Sequence, residues 1–208
     1  MEANASRFRS PLNPTRPLNS HNRRGVELHW DALTDISGGT EFSVGLKDAL
    51  IQMMRCQETR FAFASINDAL RQKLILREDL PDIFGALPRR FRPLQPLVDG
   101  RGDSGQEFVL RFIMREAGFA FESQVGIPGV GRVDMVVEGC VIVEADSRQF
   151  HDGWEAHSRD RARDREAAIR GYPTYRALSA DTLYHPERVI AAVSGLLAAN
   201  RNFRPVSR

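Results

Sequence analysis

Between Gly131 and His151 the chain reads GRVDMVVEGCVIVEADSRQFH, two short apolar runs that carry acids where a buried strand should have none. Val133, Met135, Val136 and Val137 surround Asp134, and Val141, Ile142 and Val143 run into Glu144 and Asp146. Desolvating an unpaired carboxylate costs several kcal/mol or more, so such strands call for a compensating cation. A divalent metal held by oxygen ligands is the economical candidate.

Strand alternation sets Ile142, Glu144 and Asp146 on one side and Val141, Val143 and Ala145 on the other. Asp134 joins the acidic side only if the hairpin pairs it with residue 144. A plain Glu138-Gly139 turn would pair it with Val143 and send Glu144 to the opposite side. A loop with an odd residue count, Glu138-Gly139-Cys140, keeps the two carboxylates together, and any shared site depends on it. Together Asp134 and Glu144 suit a Mg²⁺ that polarises a phosphate, orients water and lowers its pKa. His151 lies seven residues past Glu144, where a strand-end loop returns it as an acid or base.

The flanking segments read as the elements such a hairpin needs. Ser104 to Ala117 is a helix with Phe108, Val109, Phe112 and Ile113 on its core side, stopped by Gly118. Its S-x-x-E start makes Ser104 and Glu107 a capping box. Phe119 to Ile127 is a strand, and Gly126, Gly129 and Gly131 mark a hairpin turn, because a strand follows them where a phosphate loop needs a helix. Trp154 to Arg170 is a charged helix, Tyr175 to Leu178 a strand, and His185 to Ala199 a last helix. On the charged helix Arg159 and Arg163, like Asp160 and Asp164, are like-charged neighbours four residues apart, unfavourable unless an external partner relieves each row. The helix reads either as a solvated face or, for the arginines, as a contact with a phosphate backbone.

Upstream, DGRGDSG at 99–105 marks a hinge or linker. Residues 26–98 form a small helical region, with helices at Val44–Met54, Phe61–Leu76 and Asp79–Leu87, a short strand at Val26–Trp30 and a turn at Ser37-Gly38-Gly39. Residues 1–25 read as a flexible basic arm. The 208 residues are enough for one core with a small accessory domain, and the net charge of +2 announces no partner. The 29 basic residues are nearly all arginine, the better fork for phosphate. Cys56 and Cys140 lack metal-ligand spacing and suit a reducing compartment. No apolar run approaches the ~20 residues of a membrane span. A cytoplasmic protein without a membrane partner is the expectation.

In this order, a helix with an acid, a strand, a strand with Asp, a strand with E-x-D, an arginine-rich helix, a strand and a helix, the chain resembles the PD-(D/E)XK nuclease superfamily. It is most similar to the branch of very-short-patch repair (Vsr-like) endonucleases, the domain of unknown function 559. The residues that carry the resemblance are SGQEF at 104–108, GRVDMVV at 131–137, VIVEADSRQFH at 141–151, RDRARD at 159–164 and GYPTYRAL at 171–178, within a nuclease domain at 104–199. It implies an α/β fold with a restriction-endonuclease-like core, a mixed central sheet flanked by helices and preceded by the small helical region. The implied activity is a Mg²⁺- or Mn²⁺-dependent endonuclease acting on DNA, and a homo-oligomer stays open. Glu107, Asp134 and Glu144 would be both catalytic and metal-binding, beside the carbonyl of Ala145. The superfamily usually has lysine where this chain has Asp146, which leaves water activation to Asp146, His151 or the arginines at 159–163. Arg159 and Arg163 would bind DNA. Two rivals keep the same residues: a catalytically inactive nucleic-acid-binding or regulatory module of the same fold, and a structural domain whose acids pair with nearby arginines.

Overall fold

The computed structural model describes residues 32–35, 38–146 and 154–202. The basic arm, the strand at Val26–Trp30, Ser37 and His151 lie outside them. Between Val98 and Asp99 the chain divides into two compact units.

In the first unit, helices α1 (Leu46–Cys56) and α2 (Thr59–Arg71) pack together, and α3 (Leu80–Gly85) packs on α1. Their core holds Leu50, Ile51, Met54, Phe63, Ile66, Ile83 and Phe84. Helix α2 ends at Arg71, short of the Leu76 expected from periodicity. Lys73 turns left-handed with φ 59°, Lys73 N–H donates to Leu70 O and Leu74 N–H to Ala69 O. That is a Schellman stop with lysine in the place usually taken by glycine, and it leaves Leu74 and Leu76 exposed. Asp48 is buried, yet its carboxylate accepts from Thr34 N, Thr34 Oγ1 and Asp35 N, so this acid needs no further partner.

The second unit is mixed α/β. Helix α4 (Gly105–Glu116) leads into strands β1 (Phe121–Ile127), β2 (Gly131–Val137) and β3 (Val141–Asp146). Helix α5 (Trp154–Ile169), strand β4 (Thr174–Leu178) and helices α6 (Ser179–Tyr184) and α7 (Pro186–Asn202) follow. The sheet order is β1-β2-β3-β4, antiparallel up to β3 and parallel between β3 and β4. A parallel partner requires a crossover, and α5 supplies it. Val141, Ile142 and Val143 are all buried, so both sides of β3 are covered. Ala167 of α5 joins Val136 and Ile142 in one cluster, while α4 and α7 also pack on β3. Two-sided burial explains why these strands read as continuous apolar runs.

Glycine ends the helices where the sequence places it. Gly118 (φ 79°) follows α4 and Gly171 (φ 78°) follows α5. Phe119 N–H reaches Met114 O and Tyr172 N–H reaches Ala167 O, closing each last turn. The 99–105 stretch is more than a spacer. Asp99 accepts both guanidinium nitrogens of Arg111, a Cβ on Gly102 would lie 3.0 Å from the Phe108 ring, and Asp103 N–H bonds Glu107. Its small residues let the chain fold back closely over the start of α4. Helix α6 is an addition to the sequence expectation, since six residues are too few to show a period.

Candidate functional site

The β2–β3 ladder pairs Met135 with Val143, Val136 with Ile142 and Val137 with Val141, leaving Glu138-Gly139-Cys140 as the connecting loop. The loop has the odd count on which a shared site depends. Glu138 and Gly139 take φ of 49° and 66°, and Cys140 N–H closes on Val137 O at 3.1 Å. One step further in the same register, Asp134 faces Glu144. The backbone ladder stops there. Ala145 N–H instead donates to Asp134 Oδ2 at 2.8 Å, so the aspartate side chain fills the place of the next ladder bond. Beyond Val143, β3 continues only with β4, pairing Glu144 with Arg176 and Asp146 with Leu178.

Glu107 reaches this opening from the first turn of α4. It is 5% exposed, and its carboxylate accepts Asp103 N–H at 3.0 Å on either oxygen, Ser104 Oγ at 3.3 Å and Gln124 Nε2 at 2.8 Å. Ser104 Oγ caps Glu107 N–H at 3.3 Å, so the box forms with the acid bonding the residue before the cap.

Gln124 gave no signal in the sequence, because FESQVGI reads as an unbroken strand. Its φ is 57°, a left-handed conformation that costs a non-glycine residue roughly 1–2 kcal/mol. It sits between the pairs Ser123–Met135 and Val125–Val133, directly across from Asp134. Its Nε2 holds Glu107, while its Oε1 is buried and accepts no hydrogen bond from the described residues. A buried acceptor left unmet costs about 1–3 kcal/mol.

Charge divides the site into two ends. At one, burial and the neighbouring carboxylates of Glu107 and Asp103 push the Asp134 carboxyl up to about 6, against the Ala145 N–H bond and the guanidinium of Arg132, which pairs with Asp103. At the other end, Glu144 is 14% exposed and lies between Arg163 at 3.1 Å and Arg176 at 3.2 Å. Burial still raises its pKa, with the two arginines pulling the other way and Asp134 adding to the rise. Arg176 also pairs with Asp164, and Arg163 donates to the carbonyls of Val130 and Arg132. The inner members of the like-charged rows on α5 thus find partners inside the fold. Arg176 was missed by motif, although the β3–β4 pairing puts it beside Glu144.

Asp146 ends β3 half-buried, its carbonyl accepting from Ser179 Oγ at 3.4 Å. Arg159 is exposed on α5. His151 falls outside the described residues. Among the described residues no three of His, Cys, Asp and Glu form a ready metal cage, and no helix is long and apolar enough to cross a membrane. Comparison with protein-family models, curated proteins and solved structures finds no match to this chain. Its chemistry has to be argued from the site itself.

Proposed function

We propose that the second unit is a restriction-endonuclease-like, Vsr-like nuclease domain that hydrolyses DNA phosphodiester bonds with Mg²⁺ or Mn²⁺. The observation that carries this reading is the loop register that sets Asp134 against Glu144 at the point where β2 and β3 part. The donor set fits a hard cation. Glu107 and Asp134 bring carboxylate oxygens to one end of the site, where burial first and the neighbouring carboxylates second make Asp134 resist ionising. A bound divalent ion would supply Lewis-acid stabilisation of the phosphoryl oxygens and a more acidic water.

The chain's own residues do the rest. Glu107 and Asp134 would hold the ion, with Ala145 N–H keeping Asp134 turned towards β3. Arg163 and Arg176 are aimed at an anion already, and a phosphate entering beside Glu144 competes for them. Glu144, freed of its arginines, would be available as a further carboxylate for the ion. Asp146, on the same side by alternation, orients the attacking water. Plasmid nicking in Mg²⁺, Mn²⁺ and EDTA tests this: the wild type should nick with either metal only, and Asp134→Ala should lose at least about a hundredfold in rate. Nicking that persists in EDTA or in Asp134→Ala would remove the site from the chemistry.

One observation favours a second reading. The double arginine clamp on Glu144 also suits a domain of this fold that binds nucleic acid, or simply holds together, without turnover. DNA affinity without nicking under any metal would select the binding module, and neither activity would leave a structural role.

A further inference from the structure

Gln124 carries two local penalties, a left-handed backbone inside a strand and a buried carbonyl oxygen that no described residue meets. Such positions persist when the surroundings hold them in place, and they gather at ligand sites. Its orientation is fixed chemically. A carboxylate only accepts, so the amide nitrogen must face Glu107 and the oxygen must point away from it. No described residue donates to that oxygen. Glu107, Asp134 and Asp103 are acceptors, and the donors recorded beside them turn elsewhere: Arg132 Nη2 to Asp103, Ala145 N–H to Asp134, Ser104 Oγ and Asp103 N–H to Glu107. An oxygen-rich, donor-poor corner is what a divalent cation completes, and an amide carbonyl is a competent ligand for one.

We propose that Gln124 Oε1 is a protein ligand of the divalent cation held by Glu107 and Asp134, its Nε2 fixing the Glu107 carboxylate for the same ion. The assignment rests on the metal-dependent reading above and adds a residue to it. It also explains the strained backbone: a left-handed turn at one position lets a strand residue reach Glu107 while staying opposite Asp134.

Calorimetric titration of Mn²⁺ into the metal-free full-length protein tests it. Gln124→Gly keeps the left-handed backbone and should weaken Mn²⁺ binding by roughly 10–100-fold, the loss typical of a ligand's support, with an unchanged circular dichroism spectrum. Gln124→Glu keeps an oxygen for the ion but sets a carboxylate against Glu107. It should bind Mn²⁺ at least as tightly as the wild type, and melt lower than the wild type in EDTA but not in Mn²⁺. If Gln124→Gly is folded and binds like the wild type, the assignment to Gln124 falls while the metal site stands. If Gln124→Gly does not fold, weak binding by Gln124→Glu overturns the assignment and tight binding supports it. Failure of the wild type to bind Mn²⁺ overturns the metal site and Gln124 together.

Discussion

Asp134 sits half-buried between Val133 and Met135 on β2. An acid among valines is anomalous in the string, and it stays anomalous in the fold, with its carboxyl raised to about 6. Because the folded pKa lies above the unfolded value of 3.8, the folded state binds the extra proton. The associated stability is present below the unfolded pKa and is lost as pH rises through the folded one. Glu144 is raised as well and contributes with the same sign. Asp134→Asn keeps an oxygen for Ala145 N–H and removes the charge. In EDTA at pH 7.5 it should stabilise the protein by about 1 kcal/mol, the full shift being discounted for partial exposure. At pH 4 the difference should shrink towards zero. Urea unfolding at both pH values reads this, and an Asn variant less stable than the wild type at pH 7.5 would mean that Asp134 is already compensated. Gln124, by contrast, was illegible. Its conformation follows from partners on α4 and β2, which no window of local sequence contains.

Elements were legible where a local rule decides them. The Ser104 cap, the glycine stops at Gly118 and Gly171 and the apolar runs of β2 and β3 each rest on chemistry within a few residues. Helix α2 was overrun because a left-handed lysine ends it and lysine carries no stop signal. The β2–β3 loop is the element on which the site turns, since a single residue more or less would flip Glu144 away from Asp134. Gly139 holds that geometry with φ 66°, and a Cβ there would meet nothing within 4 Å. Gly139→Ala therefore isolates backbone strain from packing, and should cost about 1 kcal/mol in urea unfolding. A neutral result would show that the loop relaxes out of the left-handed conformation, and that the register is held by the strands alone.

For the whole molecule, a net charge of +2 gives little long-range attraction to DNA, so under the proposed function any binding of DNA would rest on placed arginines. The sequence suggested that each like-charged row of α5 awaits an external partner. In the fold the inner row is answered from within, Arg163 by Glu144 and Asp164 by Arg176. That distinction needed the sheet, because Glu144 and Arg176 come from separate strands brought together by the parallel β3–β4 pairing. It also changes which residue tests DNA contact. Arg163→Ala would strip a guanidinium from Glu144 and from the carbonyls of Val130 and Arg132, so any loss of affinity would mix with altered packing. Arg159 is exposed, and its replacement leaves those contacts in place. Arg159→Ala should keep the melting temperature of the wild type and lower the slope of log affinity against log salt by about 0.9, the release expected for one phosphate contact on duplex DNA. Fluorescence anisotropy with a labelled duplex across a salt series measures that slope. A slope equal to that of the wild type would make the outer row of α5 a solvated surface, and would leave Arg163 and Arg176, beside Glu144, as the cations available to a phosphate.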